Sequence, residues 1–133
     1  YKTVLKNAPD MIEVHYLMGR IYADREQYQQ AENAYQHVIK AMPSFADAYE
    51  RLAHLYGSWG KYQKRALELA RKAVELQPDS AEYLNTLSWL FYQQGNYDQA
   101  EEAIKKALSL ESSNRVFQEG LKAIQEIKKT TVE

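Results

Sequence analysis

Three features of the sequence predict an all-α chain built as a stack of antiparallel helix pairs. Pro9, Pro43 and Pro78 stand 34 and 35 residues apart. The segments around these prolines repeat one another. Within each segment apolar residues recur at spacings of three and four, which places one apolar stripe on each helix. A self-similar period of this length marks supersecondary units that cannot bury their apolar faces alone and must stack to do so. Stacked units of this kind offer a long binding surface rather than a catalytic pocket.

Aligning the prolines superposes three units, residues 12–45, 46–80 and 81–114. Each opens on a first helix with a repeated signature: Met18-Gly19-x-x-Tyr22, Leu52-Ala53-x-x-Tyr56 and Leu87-Ser88-x-x-Phe91. A turn and an aromatic follow, at Tyr28, Gly60-x-Tyr62 and Gly95-x-Tyr97. A second helix then carries small residues at helical spacing: Ala31, Ala34 and Val38; Ala66, Ala70 and Ala73; Ala100, Ala103 and Ala107. This succession of small residue, aromatic, alanines and proline resembles the tetratricopeptide repeat over nearly the whole chain. The resemblance implies a right-handed superhelical solenoid whose first helices line a concave groove and whose second helices lie outside.

Each choice has a physical cause. Gly19, Ala53 and Ser88 lack bulk, so the paired helix approaches closely there, with Tyr22, Tyr56 and Phe91 filling the space beside them. The prolines cannot continue a helix and bias the preceding residue away from helical angles, so they stop each second helix. Asp10 with Glu13, Ser44 with Asp47 and Asp79 with Glu82 read as N-cap and N3 pairs. Two departures stand out. Between Gly60 and Ala66 the second unit holds one residue more than the third holds between Gly95 and Ala100, which predicts an extension or bulge at the second helix's start. In the third unit Ser112 stands where the other two hold proline, which predicts a frayed or overrunning helix end, and Ser112-Ser113-Asn114 offers caps for a following helix.

At the front, Tyr1, Val4 and Leu5 match Tyr35, Val38 and Ile39, so residues 1–11 read as the end of a preceding repeat and the sequence as a piece of a longer protein. Residues 115–129 read as an amphipathic capping helix, or the first helix of a fourth unit, with Val116, Phe117, Leu121, Ile124 and Ile127 as its stripe. Residues 130–133 read as a tail.

Composition excludes several classes. The 133 residues carry a net charge of −1, which argues against nucleic acid or an anionic membrane surface as the main partner. No apolar run reaches membrane-spanning length. The absence of cysteine removes disulfide and thiol chemistry and fits cytosol, which we favour, as well as periplasm. Glu68/Lys72, Glu101/Lys105 and Glu102/Lys106 read as solvated helix pairs at four-residue spacing, as does Glu50 with His54. His15, His37 and His54 belong to no metal motif, the glycines form no phosphate loop, and no serine sits in a nucleophile-elbow context. The sequence therefore points away from an enzyme and from any cofactor or metal.

The groove-facing residues implied by the resemblance are those of each first helix that miss the packing stripe. They are Glu13, Tyr16, Leu17, Arg20 and Asp24; Asp47, Glu50, Arg51, His54 and Ser58; and Glu82, Asn85, Thr86, Trp89, Tyr92 and Gln93. Among these, Tyr16, Arg20, Arg51, His54, Asn85, Trp89 and Tyr92 are the expected partner-binding residues, because aromatics with a polar handle and arginine dominate interface hot spots. An alternative place for Trp89 is against the capping helix. In chaperone-adaptor members of the family, lysines, asparagines and an arginine on successive first helices hold a peptide's terminal carboxylate. The places corresponding to them hold Tyr16, Arg20, Arg51, Glu82 and Thr86, which breaks that clamp. Arg20 and Arg51 keep the fork geometry that suits a carboxylate. The expected function is a protein-interaction scaffold holding an extended or helical segment of a protein partner. The alternatives are an assembly module that self-associates through its repeat ends, and a recruiting arm of a larger protein.

Overall fold

A computed structural model describes residues 8–132, with side chains described for residues 12–130. The described residues form seven helices and no strand. They are α1 (Ala8–Asp24), α2 (Tyr28–Ala41), α3 (Ala46–Trp59), α4 (Gln63–Leu76), α5 (Ala81–Gln93), α6 (Tyr97–Leu110) and α7 (Arg115–Val132). α1/α2, α3/α4 and α5/α6 are antiparallel hairpins, and α7 packs on α6. The first helices α1, α3 and α5 also touch one another in turn. Their closer spacing puts them on the inner side of the curve and leaves the second helices outside. Tyr1, Val4 and Leu5, read as the end of a preceding repeat, lie outside the described residues, as does the side chain of Asp10.

The small residue on each first helix lets its partner in. A Cβ built on Gly19 would fall 2.6 Å from the Tyr35 ring of α2. Ala53 and Ser88, at the matching places, are buried, and the Ser88 hydroxyl donates to the Ala100 carbonyl at 2.7 Å. Tyr56 and Phe91 are buried beside them, and Tyr22 is half-buried. Ala31, Ala66, Ala73, Ala100 and Ala107 are fully buried in the core.

All three hairpin turns share one backbone device. The amide two residues before the Tyr28 start, Glu26, adopts a left-handed φ of 60°, where the other turns place Gly60 and Gly95. In each turn the following amide, of Gln27, Lys61 or Asn96, donates to the carbonyl of the packing aromatic Tyr22, Tyr56 or Phe91. The second unit holds one residue more than the third between its turn glycine and the first alanine of its second helix, Gly60 to Ala66 against Gly95 to Ala100. This residue pushes Tyr62 out of the helix into a left-handed N-cap position at φ 56°, leaving its side chain 54% exposed. Tyr28 and Tyr97, its sequence counterparts, are half-buried.

Some expected ends differ. α3 is preceded by Phe45, which makes no side-chain cap, so Ser44 is not the N-cap. α5 is capped by Ser80, whose hydroxyl accepts from the Tyr83 amide, so the cap lies one residue after Asp79. α6 stops at Leu110 without a proline, in the same place relative to Ser112 as α2 ends before Pro43 and α4 before Pro78. The stop thus comes from the backbone turn, Asn114 N–H to Glu111 carbonyl at 3.2 Å, which recurs as Phe45 to Met42 and Ser80 to Gln77. Asn114 caps α7 as expected, accepting from the Phe117 amide at 3.2 Å. α7 continues to Val132, past Lys129. It is fastened by Phe117 and Ile124 in the core and by Lys128, which reaches Asp98 at 2.7 Å and Glu101 at 2.8 Å. Of the three expected four-residue ion pairs, Glu101 with Lys105 forms, at 3.8 Å.

Polar bonds join each first helix to the next, at sequence separations of 35 and 36. Arg51 Nε donates to the Tyr16 hydroxyl at 3.4 Å. The Tyr83 hydroxyl donates to Asp47. Thr86 Oγ1 donates to Glu50 Oε2 at 2.9 Å, and Gln93 Nε2 reaches the Gly57 carbonyl at 3.5 Å. Glu50 and Thr86, expected on the groove surface, are buried at 4% and 6% exposure, because each satisfies the other inside the α3–α5 contact. Glu50 is therefore no exposed helix partner of His54.

Gly19→Ala should cost on the order of 1 kcal/mol through overlap with Tyr35 instead of gaining the ~1 kcal/mol that helix propensity alone would give. Glu26→Gly relieves a left-handed backbone strain of about 1–2 kcal/mol against a loss of roughly 0.4–1 kcal/mol from greater unfolded-chain freedom, so urea unfolding should show a net gain of about 0.5–1 kcal/mol. Burial holds the Glu50 carboxyl above its ordinary value. A raised folded-state value means that the native chain binds the proton more tightly than the unfolded chain. That stabilisation is full below the unfolded-state pKa and is lost as pH rises through the folded-state value. Glu50→Gln, which still accepts from Thr86, should flatten the decline in melting temperature as pH rises from the acid range; an unchanged slope would refute this assignment.

Candidate functional site: the concave face

Two clefts open on the inner side of the first helices and meet at His54. One, of about 310 Å3, lies between α1, α2 and α3 and is walled by Arg20, Asp24, Tyr35, Arg51, His54 and Ser58. The other, of about 400 Å3, lies between α5, α6 and α7 and is walled chiefly by His54, Asn85, Trp89, Tyr92, Val116 and Ile124. The first is mainly polar, the second mainly apolar.

Helical spacing produces this arrangement. Arg20 and Asp24 are one turn apart on α1, as are His54 and Ser58 on α3, and Asn85, Trp89 and Tyr92 follow at four and three on α5. The His54 ring stacks on Trp89 at 4.9 Å, across the boundary between repeats. Gly57, one helical turn after Ala53, admits that indole: a Cβ there would lie 2.7 Å from the Trp89 ring. Trp89 is half-buried, and Val116 and Ile124 of α7 line the same cleft, so the alternative place against the capping helix describes one side of the ring and the groove describes the other.

Of the seven expected binding residues, the structure brings Arg20, Arg51 and His54 to the first cleft and His54, Asn85, Trp89 and Tyr92 to the second. Tyr16 lines neither. Its ring packs against Tyr35 and Phe45, and its hydroxyl accepts from Arg51. Tyr16 thus positions the Arg51 guanidinium, which also lies 3.7 Å from Glu50 through Nε. Sequence reasoning missed Tyr35 and Gly57. Tyr35 enters the sequence reading only as the counterpart of Tyr1. The available signal was a hydroxyl-bearing ring where the other units hold Ala70 and Ile104.

The electrostatics are those of recognition. Burial lowers the His54 pKa, with the neighbouring Arg51 charge acting in the same direction, so its imidazole is neutral at pH 7. Burial raises the Tyr35 phenol, which stays protonated as a donor. Away from the clefts, His15 and His37 lie 4.1 Å apart, and burial followed by the His37 charge lowers the pKa of His15. Among the described residues no cluster of three or more histidine or acidic side chains is placed to hold a metal ion, and no helix is long and apolar enough to cross a membrane.

Comparison with known proteins places this geometry in context. Tetratricopeptide repeat models match residues 12–45 and 45–111. The human mitochondrial import receptor subunit TOM70 is 27% identical over 113 residues, 85% of this chain and 19% of the receptor. Small glutamine-rich tetratricopeptide repeat-containing protein 2 of Saccharomyces cerevisiae is 32% identical over 98 residues, 74% of this chain and 28% of that protein. The chain therefore spans less than a third of either relative's length. Among solved structures, the first tetratricopeptide domain of Spaghetti (RPAP3), bound to the HSP90 peptide SRMEEVD, matches with a TM-score of 0.84 at 19% identity, over 89% of this chain and 93% of that one. The fold is the right-handed superhelix of antiparallel helix pairs, a protein-interaction architecture, and the chain belongs to the tetratricopeptide repeat family.

Proposed function

We propose that the concave face binds an extended or helical segment of a protein partner, with no covalent step. The supporting observation is the pair of clefts that meet at His54, one presenting arginines and the other a half-buried indole with an apolar floor. A polar cleft beside an apolar one reads a short segment by one charged and one apolar side chain, and Trp and Arg are the residues that most often dominate such contacts. Arg20, Arg51, His54, Asn85, Trp89 and Tyr92 make the contacts in this reading, with Tyr16 holding Arg51 in place. We also read residues 12–45, 46–80 and 81–114 as three repeats closed by α7. The peptide seen in the Spaghetti domain supports the mode, while Glu82 and Thr86 argue against the same terminal-carboxylate clamp, since Thr86 is buried.

One observation favours assembly as a second reading. Leu17 and Ile21 on α1 are 48% and 51% exposed, whereas Leu55 and Leu90, the counterparts of Ile21, are buried against the preceding repeat. In that reading a further repeat, or a second copy, covers this stripe.

Arg20 and Tyr92 are both exposed, so Arg20→Glu with Tyr92→Ala tests the groove without touching the core. Selection from a displayed library of peptides should enrich binders to the native chain, and the double variant should bind them at least about tenfold more weakly at an unchanged melting temperature. Undiminished binding by the folded variant would remove the groove reading. Leu17→Glu with Ile21→Glu tests assembly: sedimentation mass that rises with concentration in the native chain and not in the variant supports it.

A further inference from the structure

The hairpin of α1 and α2 holds a pair of imidazoles apart from both clefts. His15 of α1 and His37 of α2 lie with ring centres 4.1 Å apart and planes tilted by 41°. Packing brings them together. Gly19, one turn after His15, admits the ring of Tyr35, two residues before His37, and that close approach draws the helices in. The pair lies beyond this contact, on the side away from the turn at Glu26. No sequence motif announces it, because the two residues stand 22 apart on different helices.

The fold leaves the ring nitrogens to water. Neither imidazole makes a hydrogen bond or an ion pair among the described residues. His37 is exposed and His15 half-buried. No buried side-chain nitrogen or oxygen lacks a partner among the described residues, so the His15 nitrogens, which have none, reach solvent.

Two accessible imidazoles on facing helices have the chemistry of a metal clip. An imidazole nitrogen sits about 2.0–2.1 Å from Zn2+, so two nitrogens on one ion lie roughly 3 Å apart. Rings whose centres are 4.1 Å apart need only turn about their side-chain bonds to aim one nitrogen each at a common point. Imidazole suits Zn2+, Ni2+ and Cu2+, whereas Mg2+ takes oxygen ligands. Among the described residues no third histidine or acidic side chain completes a metal-holding group, so water fills the remaining positions and the ion exchanges.

We propose that His15 and His37 form a two-imidazole site for one divalent late transition-metal ion, Cu2+, Ni2+ or Zn2+, which bridges α1 to α2. The site lines neither cleft and does not rest on the groove reading. A bound ion cross-links the hairpin that carries Arg20 and Asp24, and it stabilises the folded state by mass action.

The test titrates the whole untagged chain by calorimetry with Cu2+, Ni2+, Zn2+ and Mg2+ in turn. One transition-metal ion should bind per chain, Cu2+ most tightly, and Mg2+ should not bind. Added Zn2+ should raise the urea midpoint. His15→Gln and His37→Gln should each lower the affinity at least about tenfold and remove the rise in midpoint. Circular dichroism checks that both variants keep their helices. His37 is exposed, so if His15→Gln loses helix, His37→Gln alone decides. Absence of binding, or undiminished binding by folded His37→Gln, overturns the site. Mg2+ bound as tightly as Zn2+ overturns the imidazole assignment. One ion for every two chains overturns the bridge within a hairpin, because the ion then sits between copies.

Discussion

Everything in this molecule depends on how closely the two helices of a hairpin approach. At Gly19 the separation is set by a tyrosine ring lying where a methyl group would otherwise be. At Ser88 the side chain reaches the opposing backbone itself, at 2.7 Å from the Ala100 carbonyl. Tight hairpins make thin repeats, and thin repeats let consecutive first helices touch. That contact creates the inner curve, and with it the two clefts. A bulkier residue at the approach point would alter the core and also the spacing at which Arg20, His54 and Trp89 face the groove.

The first helices carry out two tasks with one set of polar residues. Asp47, Glu50, Thr86 and Gln93 connect repeat to repeat, while Arg20, His54, Asn85 and Tyr92 remain at the cleft walls. Arg51 belongs to both groups, bonded on one side to Tyr16 and open on the other to the cleft. Pre-orientation of this kind lowers the ordering cost that a flexible arginine meets on binding. It also makes Arg51 a poor site for testing binding alone, since reversing its charge would place a second carboxylate beside buried Glu50.

The repeat was legible because its causes are local and periodic. The Gly19, Ala53 and Ser88 places, the alanine stripes, the turn insertion and the Asn114 cap each follow from spacing and side-chain volume along one chain segment. Helix starts were less legible at Ser44 and Asp79, where several short polar residues compete and the backbone selects one. The groove was half legible. Helical spacing gives the face on which Glu50 and Thr86 lie, but not that the neighbouring helix covers them, since that depends on a residue 36 places away. Tyr35 shows the converse. A core stripe predicts its buried ring and says nothing of where its hydroxyl emerges.

The polar and apolar bonds between repeats all join immediate neighbours, so the chain behaves as a row of coupled links, each feeling only the link on either side. α3 has hairpins on both flanks, whereas among the described residues α1 has one, and its Leu17 and Ile21 are left bare. Opening in such a row is local and is passed from link to link. The Arg20 side of the polar cleft sits on the α1/α2 hairpin and the Arg51 side on the α3/α4 hairpin. A ligand bridging the two would act as a splint, tying the motion of one hairpin to that of the other, and amide exchange in α1 would slow on binding by more than in α6.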